Sequence, residues 1–240
     1  MRRFYVGQGS TGQTVAGLTV GNQVQLDDQQ GKHAWKVLRM QIGDQVELVD
    51  GTGQLALGRI AACKPVMLIQ IEQVTELKPL VPRITLACAM PKGGRADDMV
   101  NQLCQLGVDE LIPISTQRSV VETRQNKLDR FERIIAEASK QCGRTHGMVV
   151  NQPMDLKDLA NRQFDEKRIG LPTGDELDLP NLAIQTLLIL IGPEGGFTDD
   201  EIQWAMDQGF KPWQFAPYVL RIETAAVASV AILRTTIKRH

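Results

Sequence analysis

Histidine is scarce in this 240-residue chain: His33, His146 and His240 are the only three, and none has a partner at catalytic or metal-ligand spacing. No G-x-S-x-G elbow, H-E-x-x-H pair or P-loop lysine occurs, which argues against a hydrolase of the nucleophile-elbow type, a zinc protease and a P-loop nucleotidase. The four cysteines, Cys63, Cys88, Cys104 and Cys142, stand far apart with no C-x-x-C pair. That spacing argues against a zinc site and a secreted disulfide framework, and predicts reduced thiols. Apolar runs of membrane-spanning length are missing, and MRRFYVGQGS at the start carries no apolar signal region. A cytoplasmic protein with no membrane partner is expected. Charge of one sign is lacking as well: 27 Lys/Arg against 28 Asp/Glu give a net charge of −1. No global field draws nucleic acid to such a chain, so any attraction must be local. Residues 1–43 hold five basic side chains against two acidic ones, and residues 118–144 seven against four.

What is present changes character along the chain. Up to residue 75, FYV, QVQL, QVELVDGTGQLALGRI and VMLIQIEQV read as short β-strands, with D-G and T-G as turns and one helical piece over 33–40. Closely spaced strands of this kind predict a small antiparallel barrel. The stretch TELKPLVPR, with two prolines and no periodicity, reads as a linker. Strands and helices then alternate: RITLACAM, a loop PKGGRADD, the helix DMVNQLCQLG, the strand ELIPI, and a long helix over 127–143. DLKDLANR, RIGLP, LLILI, DEIQWAMDQG, a last strand WQFA and a final helix over 223–239 continue the pattern. In that helix Ala226, Val230, Leu233 and Ile237 share a face. This order predicts an α/β domain with a mostly parallel sheet.

Three loops at strand ends draw attention. In LLILIGPEGGFTDDE (187–201) a buried strand breaks at Gly192-Pro193, Glu194 precedes Gly195-Gly196, and Thr198 and Glu201 stand at capping-box spacing. Glycine lets the main chain approach a ligand closely, and a helix start offers free N–H groups; the same spacing also suits a plain strand-to-helix turn. In PYVLRIETAAVA (217–228), Arg221, Glu223 and Thr224 precede an alanine-rich helix. They can serve a site, or form a surface ion pair with a cap. GLPTGDE (170–176) closes another strand. Ligands bind at the carboxyl ends of strands in open α/β sheets, so three such loops point to one pocket.

IGPEGGFTDDEI (191–202) and VLRIETAA (219–226) together resemble the signature of the bacterial 16S rRNA uracil-N3 methyltransferases, the RsmE family of the SPOUT superfamily. H-x-x-K-V-L-R (33–39), followed by G-D-x-V-E-L-x-D-G (43–51), resembles that family's PUA-like N-terminal barrel. LGVDELIPISTQRSV (106–120) and QCGR (141–144) are similar to its middle motifs, so the resemblance spans nearly the whole chain.

The resemblance implies a PUA-like, RNA-binding β-barrel over 1–74, a linker over 75–82, and a SPOUT α/β domain with a deep trefoil knot over 83–240. It implies S-adenosyl-L-methionine as methyl donor, a homodimer through the C-terminal domain, no metal, and 16S rRNA or the small ribosomal subunit as partner. By position the cofactor pocket comprises Leu171, Pro172, Ile191, Gly192, Pro193, Glu194, Gly195, Gly196, Leu220, Arg221, Glu223, Thr224 and Ala225. Arg2, Arg39, Arg118 and Arg144 face RNA. Glu223, or a water it orients, assists deprotonation of uracil N3, while Arg221 stabilises the developing anion. The chain departs from the family pattern at Gln102 and Gln105, usually lysine and glutamate, at Lys140, usually glutamate, and at Ala216-Pro217-Tyr218, where L-G is usual. A non-catalytic rRNA-binding or assembly factor, and a paralogue methylating another RNA, share the same motifs.

Overall fold

The computed structural model describes residues 1–6, 15, 17–119, 125–175 and 184–236. Val120, Glu176, Ile237 and the expected helix end at 239 lie outside them, as do Gly7, Gly9 and Gly12, which share G-x-G-x-x-G spacing. The chain divides into two units, one made of Met1–Pro79 with Ser139–Gly147, the other of Leu80–Ala138 with Met148–His240.

The first unit contains β1 (Arg2–Tyr5), β2 (Gln23–Gln25), a short helix α1 (Asp28–Lys32), β3 (Gln45–Val49), β4 (Gln54–Ala62) and β5 (Leu68–Glu76). Their order in one sheet is β1-β3-β4-β5-β2. Alternation puts Val46, Leu48, Ala56, Ile60, Ile69 and Ile71 into one core. The sheet is not wholly antiparallel as expected, because β1 runs parallel to β3. A parallel pair needs a long crossover, and here β2 and α1 lie on the connection. β4 and β5 slip register at Leu57/Gly58 and again at Ile60/Ala62, and such bulges bend and twist a sheet. Gly58 is required there, since a Cβ would stand 2.6 Å from the Gln70 carbonyl oxygen.

The helical piece expected over 33–40 starts five residues earlier. Asp27 caps α1 by accepting from the Gln30 amide, and the helix runs on as a π-helical turn, His33–Val37. Arg39, just beyond, has a left-handed φ of 54°. Segment Ser139–Gly147 is stitched into this unit. The Arg3 guanidinium donates to the Gly143 carbonyl and pairs with Glu47 at 2.7 Å. Thr52 bridges His146, and the Gly147 amide donates to Gly51 O at 2.8 Å.

The second unit contains β6 (Arg83–Cys88), α2 (Gly94–Gln105), β7 (Glu110–Ser115), most of α3 (Gln125–Cys142), β8 (Val149–Val150), β9 (Met154–Asp155), a 3-10 turn (Leu156–Asn161), β10 (Glu166–Asp175), β11 (Thr186–Ile191), α4 (Asp199–Asp207), β12 (Lys211–Trp213) and α5 (Ile222–Thr236). Strands order as β12-β10-β11-β6-β7-β8, with β9 beside β7. Every pairing is parallel, as the alternation predicts. β6 and β11 lie inside the sheet and are apolar on both faces. Ile84, Leu86, Leu187 and Ile189 pack in one core with Met99, Leu103, Phe131, Val230 and Leu233. Ala87, Leu188 and Leu190 pack in another with Leu156, Leu159, Ala205 and Phe210.

Two boundaries differ from the sequence reading. α2 begins at Gly94, inside the stretch read as a loop, because its N-cap is Gly93 at φ 62° and offers no side-chain signal. The last strand is Lys211–Trp213, earlier than WQFA, and Phe215 is free to turn toward the site described next. Arg234 ties α5 to the sheet, donating to Pro82 O at 2.9 Å and lying 3.4 Å from Asp109. Among the described residues no helix is long and apolar enough to cross a membrane.

Candidate active site

Because β10, β11 and β12 are adjacent and parallel, their carboxyl ends share one edge of the sheet. The chain leaving β11 turns at once: the Gly196 amide donates to Pro193 O at 2.8 Å, with Gly196 at φ 69°. The capping box expected at the start of α4 is present, Thr198 and Glu201 exchanging hydrogen bonds. Glu201 is only 5% exposed, and its second oxygen accepts from the Gln117 amide at 2.8 Å. Arg118, one residue on, donates to Gly195 O at 2.8 Å and Phe197 O at 3.2 Å. The segment after β7 therefore braces the glycine loop from outside.

Inside that edge lies a cavity of about 240 Å³. Leu171 and Pro172 line it from β10, and Ile191, Gly192, Pro193, Glu194 and Gly196 from β11 and its loop. Leu220 and Ala225 close it at the start of α5. Gly170, Phe197, Ile202, Phe215, Ala216, Tyr218, Val219 and Ile222 complete the wall. Two glycines are needed for close approach. A Cβ on Gly192 would stand 2.8 Å from the Phe197 ring, and one on Gly170 2.9 Å from the Phe215 ring. Phe215 is in turn held against Trp213, ring centroids 4.8 Å apart. Among the described residues Glu194 is the one charged residue in this wall.

A second, open cleft of about 530 Å³ runs between α2 and α5, lined by Arg95, Asp98, Met99, Gln102, Arg221, Glu223, Thr224, Val227 and Ala228. Glu223 meets Arg95 here, Oε1 to Nη1 at 3.3 Å, and the same guanidinium lies 3.6 Å from Glu194. The other carboxylate oxygen of Glu223 is buried with no hydrogen-bond partner among the described residues. The Cys88 thiol feels this region: burial first, and then the Glu223 charge, push it far above the ordinary thiol range. Among the described residues no cluster of His, Cys, Asp or Glu is arranged to hold a metal.

The residues singled out in the sequence thus divide. Leu171, Pro172, Ile191, Gly192, Pro193, Glu194, Gly196, Leu220 and Ala225 meet in the first cavity, although 170–175, expected as a loop, continues strand β10; Gly195 turns its carbonyl to Arg118. Arg221, Glu223 and Thr224 line the cleft instead. The alternative of an Arg221–Glu223 surface pair is not what forms; Glu223 pairs with Arg95. Arg2 and Arg39 are exposed on the first unit, and Arg144 donates within it to the His146 carbonyl. Sequence reasoning missed Arg95, hidden in PKGGRADD, and the rings of Phe197 and Phe215, which look like ordinary core aromatics until the loops fold over them.

Residues 78–234 match the RNA methyltransferase domain family, and residues 26–63 match the RNA methyltransferase PUA domain. An α/β domain with a cavity at its strand ends, following a curled β unit, is thus the architecture of an RNA methyltransferase. The ribosomal RNA small subunit methyltransferase E of Aquifex aeolicus is 33% identical over 225 residues, spanning 89% of this chain and 94% of that protein. The Synechocystis protein of the same name is 30% identical over 217 residues, 87% of this chain and 71% of its own. The crystal structure of ribosomal RNA small subunit methyltransferase E from Neisseria gonorrhoeae, bound to S-adenosyl methionine, is similar over 98% of both chains, with a TM-score of 0.82 at 26% identity. The chain belongs to the small-subunit rRNA methyltransferase E family.

Proposed function

We propose that this protein transfers a methyl group from S-adenosylmethionine to N3 of a uracil in 16S rRNA. One observation carries the reading: an apolar cavity built from the last residues of β10, the loop after β11 and the segment entering α5 stands next to a polar cleft, and the start of α5 contributes to both. The first cavity suits the donor. Its walls are largely apolar, and among the described residues the only charge in it is the Glu194 carboxylate. Leu171, Pro172, Ile191, Gly192, Pro193, Gly196, Leu220 and Ala225 would hold the donor, which supplies an already activated methyl on a sulfonium. Gly195 serves by keeping the loop in place through Arg118.

Activation of the acceptor falls to the protein. Uracil N3 carries a proton and lies on the pairing edge, so the base must be unpaired or flipped out. Glu223, directly or through one water, takes that proton, and its partnerless oxygen is the group for it. Arg221, exposed at the cleft, steadies the negative charge left on the ring, and Thr224 lines the same cleft. Phe197, Phe215 and Ile222 keep water from the methyl group. Arg2, Arg39 and Arg144 of the first unit supply phosphate contacts that set the register of the RNA. The reading further includes a trefoil knot through the donor-binding loops, a homodimer formed by the second unit, and action in the cytoplasm.

Single-turnover methylation of 16S rRNA and of assembled small subunits, with the modified nucleotide mapped by mass spectrometry, tests the proposal. Glu223→Ala and Arg221→Ala should each slow transfer by about 10²- to 10⁴-fold, with donor affinity kept. Unchanged rates in both variants would sink the roles given to these side chains. Donor binding without any methylation by the unaltered protein would point to a non-catalytic RNA-binding factor.

A further inference from the structure

We infer that Arg95 is a positioning residue shared between the two cavities, and that the charge of the bound donor decides which carboxylate it serves. The inference rests on the donor reading of the first cavity. Arg95, in the first turn of α2, donates from Nη1 to Glu223 Oε1 at 3.3 Å, while Nη2 lies 3.6 Å from Glu194 Oε1. The first contact is a hydrogen bond; the second is too long for one and acts through charge alone. One guanidinium is thus divided between Glu194, the only acid among the described residues of the donor cavity, and the acid that works on the acceptor.

A sulfonium in the donor cavity brings a second cation to Glu194. Two cations near one carboxylate repel, and the contact that yields is the longer one. Arg95 then serves Glu223 alone, fixing one carboxylate oxygen and leaving the other, buried and without a hydrogen-bond partner among the described residues, for the acceptor proton. After transfer the thioether is neutral, so the competition ends and Arg95 returns to Glu194. The donor and its spent form are thereby distinguished by charge at Glu194, and the acceptor cleft registers which is present.

Calorimetric titration with S-adenosylmethionine and S-adenosylhomocysteine, on the full chain at low salt, tests this through binding alone. In Arg95→Ala the cationic donor should gain about three- to fivefold in affinity relative to the neutral product, the size expected of a half-exposed ion pair. Arg95→Lys should restore the original preference. Combined with Glu194→Gln, Arg95→Ala should leave the preference unmoved, because the shared carboxylate is gone. Single-turnover transfer at saturating donor should nonetheless fall in Arg95→Ala, so affinity and rate move in opposite directions. A merely structural role for Arg95 predicts that both ligands weaken together with the rate, and that result overturns the inference. So does an unchanged preference while the unaltered protein binds both ligands. An unaltered protein that binds neither ligand overturns the donor reading and this inference with it.

Discussion

Arg118 donates to the carbonyl of Gly195 at 2.8 Å, across 77 positions of sequence, and thereby holds the glycine loop from its outer side. The second bond from the same nitrogen, to Phe197 O at 3.2 Å, fixes the loop where its ring enters the cavity wall. Replacing Arg118 by alanine frees two carbonyls from a charged donor. Donor affinity should drop about tenfold, in line with hydrogen bonds to charged groups. If Arg118 instead serves mainly as an RNA contact, donor titration will be unaffected and the salt dependence of RNA binding will lose about one unit of slope.

Gly192→Ala places a methyl group 2.8 Å from the ring of Phe197, which is 6% exposed and cannot swing into solvent. The change should cost about 1–3 kcal/mol of stability, the usual penalty of overpacking. It should weaken donor binding more than Gly196→Ala, since no atom lies within 4 Å of a Cβ there and only backbone strain at φ 69° opposes it. Thermal melts and donor titrations of the two variants, side by side, check the order.

The first unit should show a carboxylate-dependent loss of stability in acid. Burial raises the Asp27 carboxyl, but hydrogen bonds from the Gln30 amide, the Gln30 side chain and the Gln29 amide, together with the Lys140 charge, outweigh it and bring it below its ordinary 3.8. A depressed folded value means the stabilisation is present above the unfolded value and disappears as pH falls through the folded one. Asp27→Ala should therefore cost about 1 kcal/mol at neutral pH, a typical loss for an N-cap. The gap between variant and parent should close as pH falls below 3.8. Melting curves from pH 7 downward provide the measurement, and a gap constant with pH would refute the cap's ionic character.

Thiol reactivity should follow exposure and charge. Cys142 is exposed and Cys63 partly so, whereas Cys88 and Cys104 are buried. The Cys88 thiol is held protonated by burial and by the nearby Glu223 carboxylate. Alkylation at pH 8 should modify Cys142 first and Cys63 more slowly, with Cys88 and Cys104 reacting only after unfolding. Mass mapping of the alkylated sites gives the order directly; early labelling of Cys88 would mean that the core around β6 opens.

The parts of this fold that depend on local pattern were legible in the sequence. The unbroken apolar run LLILI marked the buried strand that became β11, and the T-x-x-E spacing marked the capping box of α4. Glycine and proline at three strand ends marked one cavity, because parallel order places those ends together. What stayed hidden depends on long-range meetings. Nothing in PKGGRADD shows that Arg95 will reach Glu194 and Glu223, 99 and 128 positions away. Nor does any pattern announce the parallel pairing of β1 with β3, since strand direction is set by what the connection can span. Arg118 reads as one more surface cation until the loop it holds is in place.

Because Ser139–Gly147 completes the first unit, the gene contains no single joint at which that unit can be exchanged. A recombinant crossed over between residues 79 and 80 takes Arg3, Gly51 and Thr52 from one parent and their counterparts Gly143, Gly147 and His146 from the other. At Gly143 even an alanine from the second parent would be strained at φ 71° and would push the Arg3 guanidinium, 2.7 Å from its Cβ, off its carbonyl partner. The two units are thus inherited as one linkage group, and a graft of RNA specificity from a relative needs, besides the joint at 79/80, one crossover on each side of that short segment.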